Sequence, residues 1–208
     1  MIQNKYVIGL VGGIGSGKST AAAYISAFYD VDVIMADDVG RELMLPGRPL
    51  FAALTEAYGT EILDEEGRID KKVLSAIAFR DEESQKKINE IEHPVIKEKI
   101  IQMIKGSRYE VIFLEAALLI EGGLKELCDE IWLISAKEDV RIERLMKNRG
   151  YTEEKCRQLI ALQMSDQEFK KHCSLVIHNN RDRNELREET EYYMVSLEND
   201  LKLSLRKT

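Results

Sequence analysis

Residues 12–19 combine glycines, a lysine and serines in an order that suits phosphate binding. The segment Gly12-Gly13-Ile14-Gly15-Ser16-Gly17-Lys18-Ser19 fits the pattern G-x-x-x-x-G-K-[ST], and Thr20 follows it. Glycine allows positive φ and lets the backbone approach a ligand closely. Lys18 would place its charge against β- and γ-phosphates, and the Ser19 hydroxyl is the expected Mg²⁺ ligand. The segment from Gly13 to Thr20 therefore predicts a site for a nucleoside triphosphate with Mg²⁺.

The sequence on either side of this segment supplies the elements that would position it. An apolar run at residues 6–11 is typical of a buried strand, and residues 19–28 have a helical pattern. The glycine-rich turn would then lie at a helix N-terminus, where free N–H groups and the helix dipole favour phosphate oxygens. A turn that merely packs a helix on a strand is the alternative, but it leaves Lys18 and Ser19 unexplained.

The rest of the chain alternates between strand-like and helical patterns. Further apolar, β-branched runs lie at residues 31–36, 109–116 and 130–135, with a shorter one at 174–178. Helical spacing occurs at residues 38–45, 70–105, 137–147, 152–164 and 182–205. This order predicts an α/β fold with a mainly parallel five-stranded sheet flanked by helices. His93-Pro94 interrupts the longest helical pattern, so we expect two helices or a kink there.

The chain length is typical of one domain, residues 1–208, with a modest insertion. The second and third apolar runs lie far apart, and the interval between them is mostly helical in pattern. We therefore expect a helical, acceptor-binding insertion at about residues 47–107. A later helical segment, at about residues 141–172, carries several arginines and is expected to form a lid.

The composition disfavours several other classes of protein. Lys and Arg number 30 against 37 Asp and Glu, and the net charge of −7 disfavours a broad nucleic-acid surface. No apolar run is long enough to cross a bilayer, and the first residues do not resemble a signal peptide. Three scattered cysteines without CxxC spacing indicate reduced thiols. We expect a cytoplasmic protein, a monomer or weak homo-oligomer, that binds neither nucleic acid nor membrane.

A triphosphate site alone is compatible with a kinase, a GTPase or a motor. Guanine-specific G-proteins carry an NKxD segment, which this chain lacks, and 208 residues are few for a motor. A compact sheet with a helical acceptor-binding insertion and an arginine-bearing lid is typical of a small-molecule kinase. We therefore predict a P-loop kinase that uses ATP.

Segments outside the loop carry a more particular pattern. They are Ala36-Asp37 with Val39-Gly40-Arg41-Glu42 and Leu45-Pro46-Gly47, His93-Pro94, Leu118-Leu119 with Glu121, Arg144-Leu145-Met146, Gln163-Met164 and Val176-Ile177-His178-Asn179-Asn180. With these segments and the start VIGLVGGIGSGKST, the chain resembles the dephospho-coenzyme A kinase family from end to end. The loop is common to many nucleotide kinases, whereas the His-Pro pair and the stretch from Asp37 to Gly47 are more particular to this family.

The resemblance implies transfer of the ATP γ-phosphoryl group to the ribose 3′-hydroxyl of dephospho-coenzyme A. It makes Asp37 the general base or the group that orients the hydroxyl, with helix capping as the alternative role. Lys18, Arg144 and Arg149 would stabilise the transferred phosphoryl group, although such arginines also suit a solvated helix face.

The resemblance also implies which residues bind the acceptor and the metal ion. The expected acceptor-binding residues are Asp37, Arg41, His93, Leu118 and Glu121. A surface ion pair is the alternative role for Arg41, and a purely structural role is the alternative for His93. Glu115 would hold Mg²⁺ through water, together with Ser19.

The chain departs from the family pattern at four places. Met35-Ala36-Asp37 stands where the family usually has Asp-Ala-Asp, and Glu115-Ala116-Ala117 where it usually has Asp-x-Pro. Asn148-Arg149-Gly150 shifts the lid arginine by one position, and Cys173-Ser174 replaces a typical Ala-Asp. These differences leave two alternatives open: a related kinase with another nucleoside-like acceptor, and an ATP-binding accessory protein with weakened catalysis.

Overall fold

The computed structural model describes residue 2 and residues 4–207, which form a parallel sheet between two layers of helices. The strands are β1 (Tyr6–Val11), β2 (Asp32–Met35), β3 (Val111–Glu115), β4 (Glu130–Ser135) and β5 (Leu175–His178). Their order in the sheet is β2-β3-β1-β4-β5, and every neighbouring pair is parallel. The predicted α/β fold with a parallel five-stranded sheet is confirmed.

The strands are apolar along their length because helices cover both faces of the sheet. Successive side chains of β1 point to opposite faces, so Val7 and Val11 join one hydrophobic cluster while Ile8 and Leu10 join the other. All four are buried. The central position of β1 places its carboxyl end, where the phosphate-binding segment begins, in the middle of the sheet edge.

Nine α-helices lie among the described residues. They are α1 (Lys18–Phe28), α2 (Ala36–Leu43), α3 (Pro49–Tyr58), α4 (Lys71–Ala78), α5 (Glu82–Gly106), α6 (Glu138–Arg149), α7 (Glu153–Ala161), α8 (Asp166–Lys170) and α9 (Arg183–Leu201). Helices α1 and α9 cover one face of the sheet through residues such as Ile25 and Leu197. Helices α2 to α5, which all lie between β2 and β3 in the chain, pack on the other cluster.

The long helix α5 corrects one expectation. We expect two helices or a kink at His93-Pro94; α5 continues through this pair, so the alternative of two helices is wrong and that of a kink stays a prediction. The separation lies between Phe79, which ends α4, and Asp81, whose side chain caps α5 by accepting a hydrogen bond from the Ser84 N–H at 2.7 Å. Apolar residues of α5 before and after Pro94 pack on the same core, so tertiary packing outweighs the loss of one helical hydrogen bond.

Two further observations concern the residues that the structure describes. No helix there combines the length and the apolar character required to cross a membrane. Cys128, Cys156 and Cys173 are free thiols, and burial raises the pKa of Cys128 to about 12 and that of Cys173 to about 11.

Candidate active site

The phosphate loop, residues 12–19, joins the end of β1 to the start of α1. Gly12, Gly15 and Gly17 have positive φ values of 144°, 80° and 103°, which side chains with a Cβ rarely adopt. Gly17 occupies the N-cap position of α1, and no side chain caps this helix. The Thr20 and Ala21 N–H groups each donate to the Gly17 carbonyl at 3.0 Å, so phosphate binding at this turn depends on the N–H groups before Thr20 and on the positive end of the helix dipole.

Three polar side chains from distant parts of the chain hold the backbone of this loop. Arg141 of α6 donates from Nε to the Ile14 carbonyl at 2.8 Å. Gln163, between α7 and α8, accepts from the Ile14 N–H at 2.6 Å. Asn179, directly after β5, donates from Nδ2 to the Ser16 carbonyl at 2.7 Å. We call these three residues the loop braces.

Arg141 also explains why the loop needs glycine at positions 13 and 15. A Cβ on Gly13 would lie 2.1 Å from Arg141 Nη2, and one on Gly15 would lie 3.0 Å from the Arg141 carbonyl oxygen. Arg141 is only 5% exposed, and its Nη1 lies 4.0 Å from Oδ1 of the Asp166 carboxylate. From the sequence, Arg141 is either a lid arginine or part of a solvated helix face, whereas the structure shows a side chain packed against the phosphate loop.

Lys18 and Glu115 form a buried pair at the carboxyl ends of β1 and β3. Lys18 Nζ donates to the Gly12 carbonyl at 2.6 Å and lies 3.9 Å from Glu115 Oε1. Burial lowers the pKa of Lys18 and raises the pKa of Glu115, each against the opposing effect of the other charge. The pair therefore carries a desolvation cost that a bound, charged ligand would offset.

Ser19 and Glu115, the predicted Mg²⁺ ligands, carry oxygen atoms of the kind that a hard cation prefers. Both residues line the same cavity, which has a volume of about 1130 Å³. Among residue 2 and residues 4–207, no three His, Cys, Asp or Glu side chains are grouped as for an all-protein metal site. This donor set fits Mg²⁺, which usually keeps several waters and binds through few protein groups together with phosphate.

Asp37 lies in the first turn of α2, directly after β2. Met35 occupies the N-cap position and Asp37 is the second residue of the helix, so the structure does not support the capping role considered for Asp37. Its side chain is exposed and lines the cavity of the phosphate loop. Arg41, one turn further along, forms an ion pair with Asp38 and lines the same cavity.

A second cavity of about 480 Å³ adjoins the first and is enclosed mainly by α2, α4, α5 and the segment after β3. Asp37, Arg41 and Ala117 line both cavities. His93 and Leu118, predicted to bind the acceptor, also line the second cavity. Glu121 is exposed and lies outside the residues that line it. We call this second space the acceptor cavity.

Arg144 and Arg149, which are predicted to belong to a lid, both line the cavity of the phosphate loop. Arg144 Nη2 donates to Asn179 Oδ1 at 3.0 Å and to the Arg181 carbonyl at 3.1 Å. Its Nη1 is buried and has no hydrogen-bond partner among the described residues. Arg149 is exposed at the end of α6, where Gly150 terminates the helix with a φ of 64°.

The loop braces are functional candidates that residue chemistry alone does not reveal. Gln163 and Asn179 belong to segments of the family resemblance but carry no predicted role. A usable signal existed for Asn179, because it follows β5 directly and the carboxyl ends of parallel strands meet at one edge of the sheet. Nothing in the sequence indicates that Gln163 reaches Ile14.

Comparisons of the sequence with known proteins indicate the family of the chain. A family model described as dephospho-CoA kinase matches residues 6–185. Dephospho-CoA kinase of Geobacillus kaustophilus is 37% identical over 183 residues, which cover 86% of this chain and 90% of that protein.

Two solved structures share the fold. A crystal structure from Thermus thermophilus matches with a TM-score of 0.82 at 24% identity, covering 93% of this chain and 97% of that chain. Dephospho-CoA kinase from Campylobacter jejuni matches with a TM-score of 0.67 at 22% identity and the same coverage. Because the family model and the Geobacillus relative both span most of its length, the chain belongs to the dephospho-CoA kinase family.

Proposed function

We propose that the protein transfers the γ-phosphoryl group of ATP to the ribose 3′-hydroxyl of dephospho-coenzyme A. The observation that carries this proposal is the position of Asp37, which lines both the cavity of the phosphate loop and the acceptor cavity. An acceptor hydroxyl beside Asp37 would face the phosphate loop, as an in-line transfer requires.

In this reaction the acceptor oxygen bonds to the γ-phosphorus, and the bond from that phosphorus to the β–γ bridging oxygen breaks. ADP leaves with the bridging oxygen. Asp37 orients the hydroxyl and takes its proton. Lys18, Arg144 and Arg149 stabilise the charge that develops on the transferred group, and N–H groups of the segment from Gly13 to Thr20 bind the remaining phosphates.

Ser19 and Glu115 are the residues that would hold Mg²⁺, directly or through water. When bound, the ion would neutralise phosphate charge and help to align the transferred group. The buried Glu115 supports this role, because a carboxylate whose pKa is raised by burial gains from a nearby cation.

Arg41, His93 and Leu118 are proposed to bind dephospho-coenzyme A in the acceptor cavity, with Glu121 at its outer side. The ion pair of Arg41 with Asp38 leaves the arginine exposed, so an acceptor phosphate can recruit it at little cost. The insertion bounds of about 47–107, the lid bounds of about 141–172, the cytoplasmic location and the state of monomer or weak homo-oligomer stay predictions.

The test is to measure ADP and coenzyme A formation with Mg²⁺-ATP in the presence and absence of dephospho-coenzyme A. We expect both products in equal amounts from the wild type. Lys18→Ala should abolish the reaction and leave the fold intact, because this lysine contacts nucleotide charge. Asp37→Asn should lower kcat about 10²-fold or more with little effect on ATP affinity.

Asp139→Asn is the matched control, because Asp139 is exposed on α6 and lies outside both cavities. Its rate should stay close to that of the wild type. Phosphorylation of another acceptor with none of dephospho-coenzyme A would overturn the assigned substrate, and ATP binding without turnover on any acceptor would indicate an accessory protein.

A further inference from the structure

Asn179 occupies an unusual position between the phosphate loop and the lid helix α6. It follows the last residue of β5 and is only 4% exposed. Its backbone N–H donates to the Ser135 carbonyl at 2.8 Å, which continues the pairing of β5 with β4. The sheet therefore holds the main chain of Asn179, which fixes the position of its Cα atom.

Both ends of the Asn179 carboxamide are engaged. Nδ2 donates to the Ser16 carbonyl at 2.7 Å, and Oδ1 accepts from Arg144 Nη2 at 3.0 Å. The Ser16 carbonyl can only accept and the Arg144 guanidinium can only donate, so a single orientation of the amide satisfies both contacts. Asn179 thus connects the loop backbone to an arginine of α6.

Arg144 has a hydrogen-bonding group left over. Nη2 is occupied by Asn179 and the Arg181 carbonyl, whereas Nη1 is buried without a partner among the described residues. A buried donor without an acceptor is costly, and a phosphate oxygen is a strong acceptor for guanidinium. Arg144 also lines the cavity of the phosphate loop.

The fit of Asn179 against the loop is close. A Cβ on Gly17 would lie 2.3 Å from Asn179 Nδ2, so the carboxamide occupies the space that glycine leaves at the N-cap of α1. The contact to the Ser16 carbonyl fixes the peptide that joins Ser16 to Gly17. This fixes the orientation of the Gly17 N–H at the beginning of the helix, where phosphate is expected to bind.

We propose that Asn179 is a positioning residue for phosphoryl transfer, which orients the phosphate loop through Ser16 and the guanidinium of Arg144 through Oδ1. The inference rests on the proposed function and assigns each end of one amide a separate task. The Nδ2 contact serves ATP binding, and the Oδ1 contact serves the step in which Arg144 stabilises the transferred group.

Asn179→Asp separates the two tasks. The carboxylate keeps an acceptor for Arg144 and loses the donor to the Ser16 carbonyl. We expect the KM for ATP and the equilibrium dissociation constant for ATP to rise about tenfold or more, with kcat within about threefold of the wild type. Asn179→Ala removes both contacts, so kcat should also fall about tenfold or more.

A double-mutant cycle tests the contact to Arg144. If Asn179 acts on kcat by holding this guanidinium, Asn179→Ala should lower kcat by less than about twofold in an Arg144→Ala background. Additive losses of kcat would overturn this part of the proposal. A fall in kcat of Asn179→Asp with unchanged ATP affinity would overturn the assignment of the two tasks.

The control is Asn184→Asp, which makes the same change of charge on an exposed residue of α9 outside both cavities. Its kcat and KM should stay close to the wild type. Equilibrium ATP binding is measured without acceptor, so the contact to Ser16 is tested even if dephospho-coenzyme A is not the substrate. Equal changes of melting temperature and ATP affinity in all Asn179 variants, with no separation of KM from kcat, would indicate a merely structural role.

Discussion

The phosphate loop and the acceptor cavity meet at Asp37, yet the protein builds them in different ways. The loop backbone is held by the buried side chains of Arg141 and Asn179 and by Gln163. Several residues that line the acceptor cavity are exposed: Asp37 is exposed, Leu118 and Phe79 are 54% and 81% exposed, and Arg41 forms an ion pair with Asp38 at the surface. Side chains from distant segments hold the phosphate loop, whereas several residues that line the acceptor cavity are exposed.

The difference follows from the secondary structure on each side. The loop has irregular backbone, so its peptide groups need side chains to satisfy and orient them. The acceptor cavity is walled by α2, α4 and α5, whose backbone groups already bond within the helices. Side chains there are available to the substrate, and binding must order them.

Gly13→Ala is expected to have the largest effect, because Gly13 belongs to the phosphate loop and lies against Arg141, one of the loop braces. The added methyl group would lie 2.1 Å from Arg141 Nη2, and the arginine cannot withdraw without losing its contact to the Ile14 carbonyl. We expect a loss of about 1–3 kcal/mol in the free energy of unfolding, typical of overpacking, and weaker ATP binding. Thermal unfolding and ATP titration measure both.

Gly106→Ala is the control for this substitution, since nothing lies within 4 Å of a Cβ there. A Gly13→Ala protein that unfolds and binds ATP like Gly106→Ala would show that the loop is not braced as described.

Met35→Asp is expected to have a smaller effect. Met35 pairs in register with Glu115 across β2 and β3 and lines the cavity of the phosphate loop close to Asp37. Because Asp37 is already present at the junction, restoring the family carboxylate should change kcat/KM for dephospho-coenzyme A by less than about tenfold, or 1.4 kcal/mol. An increase in kcat/KM of several orders of magnitude would mean that the acceptor cavity lacks a carboxylate that the reaction needs.

Glu92→Gln is expected to have the smallest effect, on stability alone. Glu92 is half-buried in the wall of the acceptor cavity, and burial raises its pKa. The folded state therefore disfavours the carboxylate, and this penalty grows as the pH rises above the ordinary value of about 4.3. The variant should melt at a slightly higher temperature than the wild type at pH 7, and the gain should vanish near pH 4.

Glu98→Gln, which makes the same change on an exposed residue of α5, is the control. A melting temperature of Glu92→Gln that is lower at pH 7 would mean that the Glu92 carboxylate makes a favourable contact.

The sequence predicts the sheet better than the helices around the acceptor cavity. Strands β1 and β4 have the predicted bounds, because both are continuous apolar runs buried on two faces. Helix α5 does not end at Pro94, because the packing of residues such as Ile88 and Ile100 on the core overrides a local preference. Whether a helix continues past a proline depends on its packing against distant elements, and the sequence of one segment does not reveal that packing.

The site shows a similar division. Lys18 and Ser19 are evident from their motif, since loop, strand and helix are adjacent in sequence. The contacts of Ile14 with Arg141 and Gln163 depend on how α6 and the segment after α7 return to the loop. No local sequence pattern predicts that these segments contact the phosphate loop, so the loop braces can be identified only from the structure.

The order in which the chain is synthesised gives the braces a further consequence. Residues 12–19 leave the ribosome early, whereas Arg141, Gln163 and Asn179 follow much later. A nascent or cleaved chain that stops after β4 contains the whole glycine-rich motif and none of the side chains that hold it. We therefore expect such an incomplete chain to bind ATP more weakly than the full chain.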